Sequence, residues 1–69
     1  MASKYGFIDK SGKVVIEPQF DEVHAFSEGF ALVKKDGKWG YIDKNGKVVI
    51  EPQFDVAYPF SEGLAKVRR

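Results

Sequence analysis

Carboxylates recur in groups along this chain: Glu17 with Asp21 and Glu22, then Glu51 with Asp55. Paired carboxylates can divide acid and base roles or flank a glycosidic bond. Here the group occurs twice, whereas a catalytic set ordinarily occupies one singular site. Turn, loop-cap and solvated-face roles suit repeated carboxylates better. Asp9 and Asp43 each precede a turn, where a carboxylate accepts backbone N–H bonds. His24 is the only histidine and there is no cysteine, so a transition-metal site has poor support. Ser27 and Ser61 each precede Glu-Gly and are expected to bond local backbone. The chain carries no Gly-x-Ser-x-Gly elbow and no phosphate loop. No catalytic residue, metal or cofactor follows from these residues, and an enzyme is not expected.

Aromatic residues offer a second chemistry. Trp39, Tyr41 and Tyr58, with Tyr5, have flat faces and polar tips suited to a glycan or peptide. The competing role is to cover one face of a sheet and anchor a loop, and a single tryptophan favours that role. Lys34, Lys35 and Lys38 beside Trp39 and Tyr41 resemble the mixtures on which single-stranded nucleic acid stacks. Yet 11 basic residues meet 10 acidic ones, interspersed, for a net charge of +1. No broad field favours nucleic acid or a membrane surface.

These residues are positioned by a repeat. Lys4 to Lys35 aligns with Lys38 to Arg69 at a constant offset of 34 residues, and about 21 of the 32 pairs are identical. His24 corresponds to Tyr58, so the repeat does not require imidazole there. Residues 4–37 form the first copy and 38–69 the second, offset from the structural units and folding as one cooperative domain. Such periodicity means one unit stacked on another. With 69 residues and no disulfide, the chain buries a modest core, and oligomerisation is a way to bury more. No apolar stretch reaches the length of a membrane span or signal peptide, so the chain reads as soluble, with its compartment undetermined.

The local pattern is β. Short β-branched and aromatic runs alternate with glycine-containing turns, and no helical period persists. Strands are expected at Tyr5–Asp9, Lys13–Glu17, Ala31–Lys35, Lys38–Asp43, Lys47–Glu51 and Leu64–Arg68. Asp36-Gly37 suits a two-residue type I′ turn, which pairs Val33 with Gly40 and Ala31 with Ile42. The turns at Asp9–Lys13 and Asp43–Lys47 suit a type I turn with a left-handed glycine bulge. That places Ile42 opposite Val48 and Gly40 opposite Ile50. Ala31, Val33, Gly40, Ile42, Val48 and Ile50 then share an apolar face. Leu32, Lys34, Trp39, Tyr41 and Val49 share a mixed one. Pro18 and Pro52 are expected to end their strands. The following loops carry Phe20 and Phe26, or Phe54 and Phe60, as plugs between units. Gly29 and Gly63 supply the backbone freedom to re-enter the sheet.

The segments Lys38-Trp39-Gly40-Tyr41-Ile42-Asp43, Gly46 to Ile50, Pro52-Gln53-Phe54-Asp55 and Phe60 to Ala65 resemble the bacterial WG repeat, in two copies over nearly the whole chain. The first copy has Tyr5 before Gly6 where the motif has tryptophan. The resemblance implies short antiparallel strands in tandem, no shared catalytic residues, and a binding or scaffolding role. The near-identity of the copies also suggests an excised pair or an idealised, designed sequence.

The fold expected is all-β, with tandem antiparallel hairpin or meander repeats closed into a propeller- or ring-like form by strand completion between chains. The first strand lacks an upstream partner and the last a downstream one, so Tyr5, Phe7 and Ile8 of one chain should meet Leu64, Ala65 and Val67 of another. Closure within one chain, fraying to a weak monomer and aggregation are the rivals. The partner expected is therefore a second copy, and a glycan or peptide on Trp39, Tyr41 and Tyr58 is the alternative.

Overall fold

A computed structural model describes residues 3–69. The strands are β1 (Tyr5–Ile8), β2 (Val14–Phe20), β3 (Glu22–Val23), β4 (Phe30–Lys35), β5 (Lys38–Asp43), β6 (Val48–Phe54), β7 (Val56–Ala57) and β8 (Val67–Arg68). They build three antiparallel sheets: β1-β2, β3-β4-β5-β6 and β7-β8. The four-stranded sheet is the complete unit. At the 34-residue offset, β1-β2 corresponds to its second half and β7-β8 to its first. The described residues form an all-β structure, and among them no closed barrel or propeller forms.

Turn chemistry sets the strand register. Asp36 and Gly37 both have positive φ, 53° and 83°, as a type I′ turn requires. Val33 accordingly pairs with Gly40 and Ala31 with Ile42. In the β1–β2 and β5–β6 turns the left-handed residues are Gly12 and Gly46, at φ 90° and 86°. The Asp9 carboxylate accepts the backbone N–H groups of Ser11 (2.8 Å) and Lys13 (3.1 Å), and Asp43 does the same for Asn45 and Lys47 (both 2.9 Å).

Beyond those turns, bulges change the alternation. Ile42 lies opposite Val48, but Ile50 lies opposite Tyr41 rather than Gly40. The strands also run through Pro18 and Pro52 to Phe20 and Phe54 instead of ending there. Proline is tolerated because β6 is an edge strand and Pro52 sits in an irregular stretch between the Tyr41 and Trp39 pairings. Phe20 and Phe54 are therefore strand residues, not loop plugs.

Both faces of the central sheet are covered. Ala31, Val33 and Ile42 pack on Ile16 and Phe20, with Phe7, Val23 and Phe26 beside them. On the opposite face Leu32, Tyr41 and Phe54 pack with Ile50, Phe60 and Ala65. The expected mixed face is thus largely a second core, and Ile50 belongs to it. The Phe26 ring meets Phe7 edge-on at 5.0 Å, and Phe60 meets Tyr41 at 4.9 Å. These two contacts are equivalent in the repeat, so the phenylalanines do link neighbouring layers.

Candidate functional site

Sheet edges are where this fold can act, since an unpaired strand presents a row of N–H and C=O groups. The outer edge of β6 is blunted by Pro52, and β3 is only two residues long. β1 and β8 differ not in length but in lacking a neighbour that their repeat counterparts have. Each has a partner on one side only among the described residues. Their counterparts β5 and β4 pair with each other over six residue pairs. With one neighbour each, β1 spans four residues and β8 two. The expected strand Leu64–Arg68 is thus formed only at Val67–Arg68, while Leu64 makes an isolated bridge to Ser61.

The side chains follow the same contrast. Ile8 is 66% exposed, while its copy Ile42 is 0% exposed. Val67 is 38% exposed against 1% for Val33, and Leu64 is 77% exposed. Tyr5 is half exposed. Phe7 and Ala65 instead pack within the chain's own two clusters. Thus Tyr5, Ile8, Leu64 and Val67 lie open at the edges, and Phe7 and Ala65 stand behind them.

An open groove of about 350 Å³ borders β8, lined by Val56, Tyr58, Lys66, Val67 and Arg68. Its counterpart in the central sheet is filled. There Trp39 lies 5.4 Å from the His24 ring, with the Lys34 ammonium 5.7 Å from its centroid. Tyr58 occupies the repeat position of His24, Arg68 that of Lys34, and Tyr5 that of Trp39.

The three aromatics considered for a ligand do not form one shelf. Tyr41 is buried, and its hydroxyl donates to the Tyr58 carbonyl at 2.8 Å. Burial pushes its phenol above the ordinary pKa. Trp39 is half-buried between His24 and Lys34, while Tyr58 is exposed beneath the Lys66 ammonium.

The repeated carboxylates have local partners. Asp21 accepts from Lys4 at 2.5 Å, and Asp55 pairs with Lys38 in the equivalent place. These lysines hold both carboxyls below their usual range. Asp9 is lowered chiefly by the Ser11 hydroxyl, with backbone donors adding to it. Among the described residues no three potential ligands cluster for a metal ion.

A feature invisible in the local sequence joins the repeats. Ser27 donates its hydroxyl not to local backbone but to the Phe60 carbonyl, at 2.8 Å. The Glu28 carboxylate accepts the N–H of Glu62 at 2.7 Å and of Gly63 at 2.9 Å. One hint of it lay in the sequence: Glu-Gly occurs twice where Asn-Gly or Asp-Gly would suit a tight turn better.

Comparison with known proteins agrees with this architecture. The family model described as WG containing repeat matches residues 5–39 and 39–69. No curated protein and no solved structure gives a match.

Proposed function

The chain belongs to the WG containing repeat family, and from that premise we propose that it is a non-enzymatic scaffold that self-assembles head-to-tail through β1 and β8 into a symmetric homo-oligomer. The family is not a known enzyme family. The observation that carries the reading is the pair Ile8 and Ile42. The same residue at the same repeat position is 66% exposed beside the open edge and fully buried where the sheet is complete.

The pairing between β4 and β5 is the template for the junction. Shifted by one repeat in each direction, Ala31↔Ile42 becomes Ala65↔Ile8, Val33↔Gly40 becomes Val67↔Gly6, and Lys34↔Trp39 becomes Arg68↔Tyr5. The groove beside β8 then receives Tyr5 of the next copy between Tyr58 and Arg68.

Magnitudes bear on the form of the assembly. Full burial of Ile8 contributes about 1.5–3 kcal/mol, and Leu64, whose counterpart Phe30 is half-buried, adds less. Association costs about 4–15 kcal/mol, so these two residues alone do not hold a junction. Backbone pairing, Tyr5 and Val67 must add to them. A closed ring gains a further junction without a further association step, which favours closure. A head-to-tail contact that cannot close runs on as a filament.

Light scattering on chromatographically separated protein, over a concentration series, tests the reading. A fixed multiple of 7.8 kDa supports a closed ring, and a mass that grows with concentration supports a filament. A monomer at every concentration sinks self-assembly. Deleting Leu64–Arg69 should leave a monomer; retention of the oligomer would exclude strand exchange.

The second reading, a module for a glycan or peptide, draws on the exposed Tyr58 in the open groove. Loss of ligand binding in a folded Tyr58→Ala variant of unchanged oligomeric mass would favour it.

A further inference from the structure

The Glu28-Gly29 and Glu62-Gly63 turns share one conformation. Glu28 and Gly29 have φ 54° and 86°, and Glu62 and Gly63 have 51° and 80°. Each turn is closed by reciprocal bonds, Ser27 with Phe30 and Ser61 with Leu64. A left-handed glutamate is unfavourable, because its Cβ crowds the backbone as glycine does not and its longer side chain lacks the local hydrogen bonds that help Asn or Asp there. Its use at both turns calls for a reason outside the turn. For Glu28 that reason is on view: its two carboxylate oxygens take the N–H groups of Glu62 and Gly63, while Ser27 donates to the Phe60 carbonyl. One turn is docked on the next by three hydrogen bonds.

The docking has a direction, and each end of it is left over. Among the described residues nothing donates to the Glu62 carboxylate, and the N–H groups of Glu28 and Gly29 have no acceptor. We infer that Glu62 of one copy accepts the N–H groups of Glu28 and Gly29 of the next copy, while Ser61 donates to that copy's Phe26 carbonyl. The partner is a second copy of this chain, and the inference rests on the head-to-tail reading above. It adds a contact that strand pairing does not supply.

Two consistency conditions are met. The strand register joins β8 of one copy to β1 of the next, which makes a composite sheet. The next sheet in the stack is then the second copy's own β3-β4-β5-β6, which carries its Glu28 turn. The latch therefore connects the same two copies as the strands, from a separate place. Being carboxylate-to-N–H, it is short and directional. It constrains the angle between successive sheets, on which ring closure depends.

Amide proton shifts and hydrogen exchange, read on the intact chain at assembling concentration, test the latch alongside the dissociation concentration. In the wild type the Glu28 and Gly29 amides should be as protected as those of Glu62 and Gly63, and dilution should release only the first pair. Glu62→Ala should release Glu28 and Gly29, leave residues 62 and 63 protected, and raise the dissociation concentration about tenfold. Glu28→Ala should release 62 and 63 instead. An oligomer that keeps its dissociation concentration and its Glu28 and Gly29 protection in Glu62→Ala overturns the latch and leaves strand completion standing. A wild type that is monomeric throughout overturns both.

Discussion

Gly40 lies against the backbone at Pro52, closely enough that a Cβ on residue 40 would stand 2.6 Å from the proline nitrogen and 2.6 Å from the Ile50 carbonyl oxygen. Gly6 and Pro18 repeat the relationship, at 2.6 Å from the nitrogen and 2.3 Å from the Ile16 oxygen. The glycine of each unit is thus the floor under an irregular turn in the facing strand. Its lack of a side chain, not its freedom of φ, is what the fold uses.

Gly40→Ala should therefore be costly. The clash is with main chain, which cannot swing away, so β5 and β6 must separate locally. Overpacking of this kind costs about 1–3 kcal/mol, and the rigid neighbours place this site towards the upper end. Urea unfolding of the variant beside the wild type measures it. A change within about 0.5 kcal/mol, the range of an ordinary surface substitution, would contradict the close approach.

That relationship also marks where sequence reading stopped. The Asp36-Gly37 turn was legible because positive φ at two adjacent residues has few sequence solutions, and its register followed. The Asp9 and Asp43 turns were legible for the same local reason. Pro18 and Pro52 were misread because proline's effect depends on whether the strand has a neighbour on that side. A separate bulge nearer the turn, between the Ile42–Val48 and Tyr41–Ile50 pairs, moved Ile50 to the face of Tyr41. Local alternation cannot carry a register through a bulge, because the extra residue flips every side chain after it. Two-sided burial of the central sheet was hidden likewise, since Leu32 and Tyr41 are covered by Phe60 and Ala65 from the next unit. Ile8 and Val67 are exposed where their counterparts Ile42 and Val33 are buried, a contrast that the identity of the two copies makes readable.

Acid should weaken the fold through its paired carboxylates. Asp21 and Asp55 are lowered by hydrogen bonds to Lys4 and Lys38, and Asp9 by the Ser11 hydroxyl and nearby backbone donors. A depressed folded pKa means the unfolded chain binds more protons in that range, so stability rises with pH there. The contribution is complete above the unfolded value near about 4 and disappears as pH falls through the folded values. Denaturation across about pH 6 to 2 should show this decline, and Asp9→Asn with Asp21→Asn should flatten it. An unchanged slope in the double variant would assign the decline to other groups.

Lys66 occupies the repeat position of Leu32, which is 3% exposed. In a junction that repeats the β4–β5 pairing, Lys66 lies opposite Phe7 of the next copy, as Leu32 lies opposite Tyr41. Its ammonium, now 4.6 Å from the Tyr58 ring centroid, must then reach water past apolar neighbours. Removing that demand should tighten assembly. Lys66→Leu is expected to lower the dissociation concentration about tenfold, equivalent to about 1.4 kcal/mol per junction. A dilution series followed by light scattering checks this. An unaltered dissociation concentration would mean that residue 66 does not enter the setting Leu32 occupies.

The two isoleucines provide the sharpest contrast. Ile42 is fully buried, so Ile42→Ala should destabilise the chain by about 2–5 kcal/mol through lost burial and the cavity left behind. Ile8 is largely exposed at its open edge, so Ile8→Ala in a diluted, dissociated sample should change stability by no more than about 0.5 kcal/mol. At assembling concentration the same change removes an Ile8 side chain from every junction. Each junction should weaken by about 1.5–3 kcal/mol, or roughly ten- to a hundredfold in affinity. Unfolding and light scattering on both variants, at low and high protein concentration, separate these effects. If Ile8→Ala costs the same stability at both concentrations and leaves the mass profile unchanged, Ile8 makes no contact between copies. If its effect grows with concentration while that of Ile42→Ala does not, the open position at residue 8 is filled by another copy of the chain.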